Sequence, residues 1–266
     1  VTTGTPATGL LRGRTAFISG ASSGIGAATA RAFAREGAGL ILAARRIERL
    51  EALAGELREA HGTEPLLLRL DVRDRRGVDE CLGGLGGRLA DIDILVNNAG
   101  LARGLAPFQE ASLDDWEEMI DTNVKGLLYV TRAVVPGMVA RGRGDVVNVG
   151  SIAGHQVYPR GHVYCATKAA VAALSQGLRI DLVGVPVRVT EVAPGLVQTE
   201  FSLVRHRGDA ERAAKTYSTF RVLAPEDVAE TILFCVTRPP HVTINQVTVM
   251  PTEQATTMVH RHPAGS

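Results

Sequence analysis

The chain has no apolar run approaching the ~18 residues that a membrane-spanning helix needs, and the sequence therefore predicts no membrane partner. It is also short of cysteine. Cys81, Cys165 and Cys235 are the only three, and none has a CxxC neighbour. An odd, scattered set of thiols argues against a disulfide framework and against a structural zinc site, and it suits a reducing cytoplasm. No charge of either sign dominates: 29 Lys and Arg face 28 Asp and Glu, a net charge of +1. Nothing in that balance calls for nucleic acid. There is no internal repeat and no linker, so one domain is expected, spanning 11–252. The opening ten residues, VTTGTPATGL, lack the basic-then-apolar order of a signal peptide and read as a loose start. Residues 253–266 read as a C-terminal tail, loose at HRHPAGS.

What is present is an alternation. Apolar β-type runs fall at 14–19, 39–44, 65–70, 92–97, 145–150, 187–192 and 243–249. Helical patterns lie between them, near 24–37, 47–60, 75–90, 112–140, 162–183 and 225–237. Ser112 with Asp115 resembles a capping box, and Pro225 suits a first helical turn. Strands that are apolar throughout and separated by helices imply a parallel sheet covered on both faces. The expected fold is α/β, a single-domain, Rossmann-type doubly wound sheet of about seven strands with helices on both faces. Residues 200–222 break the rhythm, and an excursion of that length reads as a substrate lid.

Three glycines, Gly20, Gly24 and Gly26 in SGASSGIG, follow the first strand and open the first helix. Such a turn lets a phosphate approach backbone N–H groups at the positive end of a helix dipole. The second strand ends LAARR. NAD sites usually carry a carboxylate at this point for the ribose hydroxyls. Here Ala44 offers none, and Arg45 and Arg46 can pair with a 2′-phosphate instead. NADP(H) is therefore expected over NAD(H).

With these elements in place the chain resembles the classical short-chain dehydrogenase/reductase family, from residue 13 to about 250. The resemblance rests on GASSGIG, Asp71-Val72, NNAG at 97–100, Asn123 in DTNVKG, Ser151 in NVGSIAG, YCATK and Pro194-Gly195. It implies a catalytic set of Ser151, Tyr164, Lys168 and Asn123. Tyr164 would exchange the proton of the reacting oxygen, and Lys168 would bring its phenol towards the working pH. Of the four tyrosines only Tyr164 has a lysine four residues on, one helical turn away. Ser151 would hold the substrate oxygen. Asn123 would kink its helix and tie a water to the lysine. The same resemblance assigns cofactor contacts to the glycine turn with Ser22, Ser23 and Ile25, and to Asp71 and Val72 at the adenine. Asn97, Ala99 and Gly100 would stand on the ribose side, Lys168 at the nicotinamide ribose, and Pro194, Gly195, Val197 and Thr199 at the carboxamide. It also implies a homotetramer built on the helices at 112–140 and 162–183, where Ala166, Ala169, Ala170 and Ala173 permit close packing.

Within that family the segments 92–151 and 200–217 and the ending PPHVTINQVTVMPTEQ are similar to NADP-dependent 3-hydroxy acid dehydrogenases, which oxidise serine and allo-threonine. A 3-hydroxy acid carries a carboxylate, for which Arg205 in the lid is the first candidate partner, with Arg160 and Arg103 behind it. A reductase of another carbonyl (a 3-oxoacyl thioester, a steroid or a secondary-metabolite aldehyde) is the alternative. A non-enzymatic NADP-sensing protein is more remote, because the whole catalytic set is present.

Overall fold

The computed structural model describes residues 9–218 and 220–261; the first eight of the ten residues expected as a loose start and the last five of the expected tail lie outside them. Seven strands form one parallel sheet: β1 Thr15–Ser19, β2 Gly39–Ala44, β3 Leu66–Arg69, β4 Ile92–Asn97, β5 Gly144–Val149, β6 Val187–Pro194 and β7 Gln246–Val249. Their order is β3-β2-β1-β4-β5-β6-β7, and every pairing is parallel. The expected doubly wound α/β fold is the observed one. Strand order reverses between β1 and β4, and open α/β sheets bind ligands at that switch point, outside the carboxyl ends of the strands. Both the glycine turn and NNAG leave the sheet there.

Alternation along each strand sends neighbouring side chains to opposite faces. Phe17 of β1 lies with Ile41, Leu95, Val146 and Val189 in one core, while Ile18 lies with Leu42, Ile94, Val147 and Val192 in the other. The helices that cover the Ile18 side are α1 (Gly24–Arg35), α2 (Ile47–His61) and, near the end of the chain, Pro225–Val236. Those on the Phe17 side include α3 (Arg75–Gly83) and Leu127–Arg141. Phe17, Ile18, Ile94 and Leu95 are fully buried, and each contributes roughly 1.5–3 kcal/mol by leaving water.

Three elements differ from the expectation. The helix predicted over 75–90 stops at Gly83 and resumes as the single turn α4 (Gly87–Ala90), because Gly86 takes a left-handed φ of 54°. The helix predicted over 112–140 is α5 (Leu113–Ile120), a π-helical turn (Asp121–Gly126) and α6 (Leu127–Arg141). Only half of the expected capping box forms: Ser112 Oγ accepts from Asp115 N–H, while the Asp115 carboxylate pairs with Arg207. The last strand starts at Gln246, three residues later than expected.

After β5 the chain makes a 3₁₀ turn, Ile152–Gly154, and enters α7 (His162–Asp181). The lid region holds two short helices, α8 (Phe201–Arg205) and α9 (Ala210–Tyr217), before α10 (Pro225–Val236). Pro225 occupies the first turn of α10 as expected. Among the described residues no helix is long and apolar enough to cross a membrane.

Candidate active site

Ser151, the second residue beyond β5, caps the 3₁₀ turn: its Oγ accepts from Ala153 N–H at 3.1 Å. The same hydroxyl acts on the phenol of Tyr164, favouring its ionised form. Tyr164 and Lys168 share the buried side of α7. The Tyr164 ring leans on Phe201 of α8, with centroids 5.4 Å apart, and the Arg205 guanidinium stands 5.2 Å from the Tyr164 centroid. Burial raises the Tyr164 phenol above its ordinary 10, against the opposing influence of Arg205 and of the Ser151 hydroxyl.

Lys168, expected as the charge that tunes Tyr164, is buried one helical turn from it. Lys168 Nζ donates to the Val149 carbonyl at 2.8 Å. Burial lowers its amine to about 8, and buried Glu191 works the other way. Arg205 is a further cation acting on the phenol. Sequence could not reveal this, since Arg205 lies 41 positions beyond Tyr164.

Asn123 sits in the π turn, where the extra residue per turn frees the backbone from regular pairing. Its Nδ2 donates to the Leu101 carbonyl (2.8 Å) and to Thr167 Oγ1 (3.0 Å), and its Oδ1 accepts from Leu101 N–H (2.8 Å). The side chain thus clasps the loop after β4 to α7. The expected helix irregularity is there.

One cavity of about 610 Å³ runs from the arginine pair to the tyrosine, a size suited to a dinucleotide-scale ligand. It is lined by Gly20, Ser22, Ser23, Gly24 and Ile25 of the glycine turn, by Arg45 and Arg46, and by Asp71, Val72, Ala99 and Gly100. Pro194, Gly195, Val197 and Thr199 close one side, and Ser151, Tyr164, Lys168 and Arg205 stand at the far end. Gly24 has φ +53°, and a Cβ on it would lie 3.0 Å from the Thr199 methyl. The backbone there is bare for an anion to approach. Arg46 donates to Ser22 Oγ (3.3 Å) and Ser23 Oγ (3.0 Å), which aims its guanidinium at the mouth of the turn.

Other sequence-predicted residues stand off this wall. Gly26 is a packing residue: a Cβ there would fall 2.5 Å from Asn98 Nδ2. Asn97 is buried behind the wall, donating to Thr131 Oγ1 (2.8 Å) and Asn148 Oδ1 (2.9 Å). It ties β4 to β5 and to α6, and β-strand alternation turns it away from the cleft where a ribose contact was expected. Asp71 reaches the wall but is engaged by Arg73 at 2.6 Å. Arg103 is committed to Glu118 (2.6 Å) and to the Val204 carbonyl (2.6 Å). Arg160 is exposed, in a left-handed turn with φ 65°, and does not reach the main cavity.

The sequence reading missed several residues. Asn98 Nδ2 donates to the carbonyls of Ser19 and Gly20 at 3.0 Å each, which fixes the glycine turn from the neighbouring strand. The Tyr158 hydroxyl accepts from Arg205 Nη2 at 2.7 Å. The described part of the tail is not loose: Gln254 Oε1 accepts from Leu196 N–H at 2.9 Å, His260 stacks near Phe220, and Gln254, Thr257 and His260 reach the cavity wall. The polar, aromatic-poor ending carried no periodicity to signal this.

Comparison with known proteins agrees with the geometry. The family model for short chain dehydrogenases matches residues 14–208. An NADP-dependent 3-hydroxy acid dehydrogenase of Salmonella typhi is 51% identical over 248 residues, covering 92% of this chain and 98% of that one. A sulfoacetaldehyde reductase of Chromohalobacter salexigens is 47% identical over 241 residues, covering 90% and 94%. The closed form of a serine dehydrogenase complexed with NADP+ superposes with a TM-score of 0.87 at 47% identity, covering 94% of this chain and 99% of that one. With its parallel sheet, its glycine turn and its serine, tyrosine and lysine gathered at one end of a single cleft, this chain belongs to the short-chain dehydrogenase family.

Proposed function

We propose that the protein is an NADP(H)-dependent oxidoreductase that interconverts a small 3-hydroxy acid and its 3-oxo acid. The observation that carries this is the single cleft, which has a cationic, serine-lined end at Arg45 and Arg46 and a reactive end at Ser151 and Tyr164 overlooked by the Arg205 cation. The two relatives act, by their names, on substrates alike in one respect. A 3-oxo acid and sulfoacetaldehyde both place an anion one carbon away from the carbonyl. A lone guanidinium near the tyrosine suits either.

NADP(H), held by the glycine turn, Arg45 and Arg46, would supply or accept the hydride. The chain's own groups do the rest. Ser151 Oγ hydrogen-bonds the substrate oxygen. Tyr164 takes the hydroxyl proton in oxidation and returns it in reduction. Lys168, held by the Val149 carbonyl, fixes a positive charge on the floor of the site. Phe201 and Tyr158 shield the reacting centre from water.

An NADP(H)-coupled panel of 3-hydroxy acids, 3-oxo thioesters and uncharged aldehydes tests the proposal. A preference for thioesters or uncharged aldehydes would favour the alternative reductase. Arg46→Ala is expected to lower the preference for NADPH over NADH by about thirtyfold, read as the ratio of kcat/KM values. An unchanged ratio would remove Arg46 from the phosphate site.

Lys168 yields a pH prediction. Its amine titrates at about 8 in the fold, below the ordinary 10.5. Below about pH 8 the buried ammonium therefore costs stability, and as pH rises from there towards 10 the cost fades. In urea unfolding, the wild type is expected to gain on the order of 2 kcal/mol relative to Lys168→Met across that window. A difference independent of pH would contradict the buried, low-titrating amine.

The association state is also proposed, as a homotetramer through α5–α7. Ala166, Ala169 and Ala173 face outward on α7, beside exposed Leu113, Ile120, Leu128 and Ile180. Outward small residues at this spacing support close helix contact between copies. A monomer by light scattering would exclude it.

A further inference from the structure

Glu200, between Thr199 of the cavity wall and the first residue of α8, holds the arginines at the mouth of the glycine turn. One of its carboxylate oxygens accepts from Arg46 Nη1 at 3.0 Å and the other from Arg49 Nη1 at 2.5 Å. The same Arg46 reaches Ser22 and Ser23 through its other terminal nitrogen. An anion bridging two guanidiniums beside two serine hydroxyls is the environment that a phosphate monoester seeks. Here the chain's own carboxylate fills that environment.

Glu200 is also mechanically placed. It leads directly into α8, whose first residue, Phe201, leans on Tyr164 and whose last, Arg205, stands over the same ring. The far end of α8 is tied independently. Arg103 Nη1 donates to the Val204 carbonyl at 2.6 Å, and Gly104 N–H donates to the Arg205 carbonyl at 3.1 Å. A helix of five residues is therefore strung between the arginines at one end of the cleft and the loop after β4 at the other. If the near tie is released, the side chains that move are those touching Tyr164.

We propose that Glu200 is a cofactor-sensing residue: its carboxylate stands in for the 2′-phosphate on Arg46 and Arg49, and yields them when that phosphate binds. Occupancy at the adenosine end is thereby relayed through α8 to Phe201 and Arg205. The proposal rests on the reading of Arg46 as the phosphate partner. A phosphate dianion and a carboxylate cannot share these guanidiniums without repulsion, so only a ligand bearing the phosphate displaces Glu200. A ligand lacking it leaves the pair, and the lid start, in place. Reciprocity requires that whatever favours the released lid also tightens the phosphate-bearing ligand.

The test uses two adenosine fragments, 2′,5′-ADP and 5′-AMP, with calorimetric affinities and amide hydrogen exchange over 201–217. Glu200→Gln keeps the shape and removes the charge, and it is expected to bind 2′,5′-ADP about fivefold more tightly with 5′-AMP unchanged. In the wild type, 2′,5′-ADP is expected to speed exchange at the start of α8 and 5′-AMP is not. In Glu200→Gln, exchange there should already be fast and indifferent to either fragment. An affinity of Glu200→Gln no tighter than wild type, or wild-type exchange blind to 2′,5′-ADP, would overturn the proposal. Arg46→Ala separates the two layers. If it loses the preference for 2′,5′-ADP while Glu200→Gln changes nothing, the phosphate site stands and the relay falls. If it keeps the full preference, the phosphate lies elsewhere and both fall.

Discussion

Tyr164→Phe is expected to lower turnover about a thousandfold in both directions, with the affinity for NADPH unchanged. The substitution removes one oxygen and keeps the ring. The contact with Phe201 at 5.4 Å does not involve the hydroxyl, so the local packing and the cleft wall persist. What disappears is the hydroxyl proposed to exchange the substrate proton. Ser151 still holds the oxygen but has no comparable route for the proton. The structure adds a direction to this. Burial keeps the phenol protonated well above neutrality, which suits it to give a proton in reduction. Oxidation needs the phenolate, so wild-type alcohol oxidation is expected to accelerate with pH from 7 towards 10 while ketone reduction is not. Steady-state rates with fluorescence titration of NADPH check both statements. Substantial turnover by Tyr164→Phe would remove it from the proton path, and oxidation that slows with pH would contradict the buried phenol.

Much of this was legible in the sequence because the relevant signals are local. Apolar strands and interleaved helical patterns are properties of consecutive residues, and they place all seven strands and the switch point. The tyrosine and lysine announce themselves by a four-residue spacing, and the glycine turn by its position between a strand and a helix. The failures share a cause. Asn97 and Asn98 are adjacent and identical, yet one faces Asn148 and the other clamps Gly20; pleating decides which, and a motif does not say. Arg205 stands first among the candidate charges, with Arg160 and Arg103 behind it, but sequence could not separate their surroundings. Only tertiary contact shows that Glu118 consumes Arg103, that Arg160 is exposed on a strained turn, and that Arg205 stacks on Tyr164. The C-terminal segment offered no periodicity at all, and its place on the cavity wall follows from one glutamine answering a backbone N–H.

Arg205→Met is the second substitution with a large expected effect, and the structure changes how it must be read. From sequence alone it tests a carboxylate partner: acidic substrates should lose and neutral ones should not. The guanidinium also lies within 5.0 to 5.7 Å of the rings of Phe201, Tyr164 and Tyr158, and donates to the Tyr158 hydroxyl. Its charge opposes the upward push of burial on Tyr164. Removing it therefore raises that phenol further, which slows oxidation of every alcohol regardless of charge. Reduction starts from the protonated phenol and escapes this second effect. The decisive measurement is thus in the reducing direction, where kcat/KM for a 3-oxo acid is expected to fall about a hundredfold and that for a neutral ketone to change little. In the oxidising direction both should fall, the acid by more. Arg205 Nε is buried without a partner, an uncompensated donor that an incoming carboxylate could satisfy, and leaving such a donor unpaired costs roughly 1–3 kcal/mol. Arg205→Lys keeps the charge and loses the planar fork, so an intermediate loss for acids is expected. Equal losses for acid and ketone in reduction would leave Arg205 as a support for Tyr164 alone.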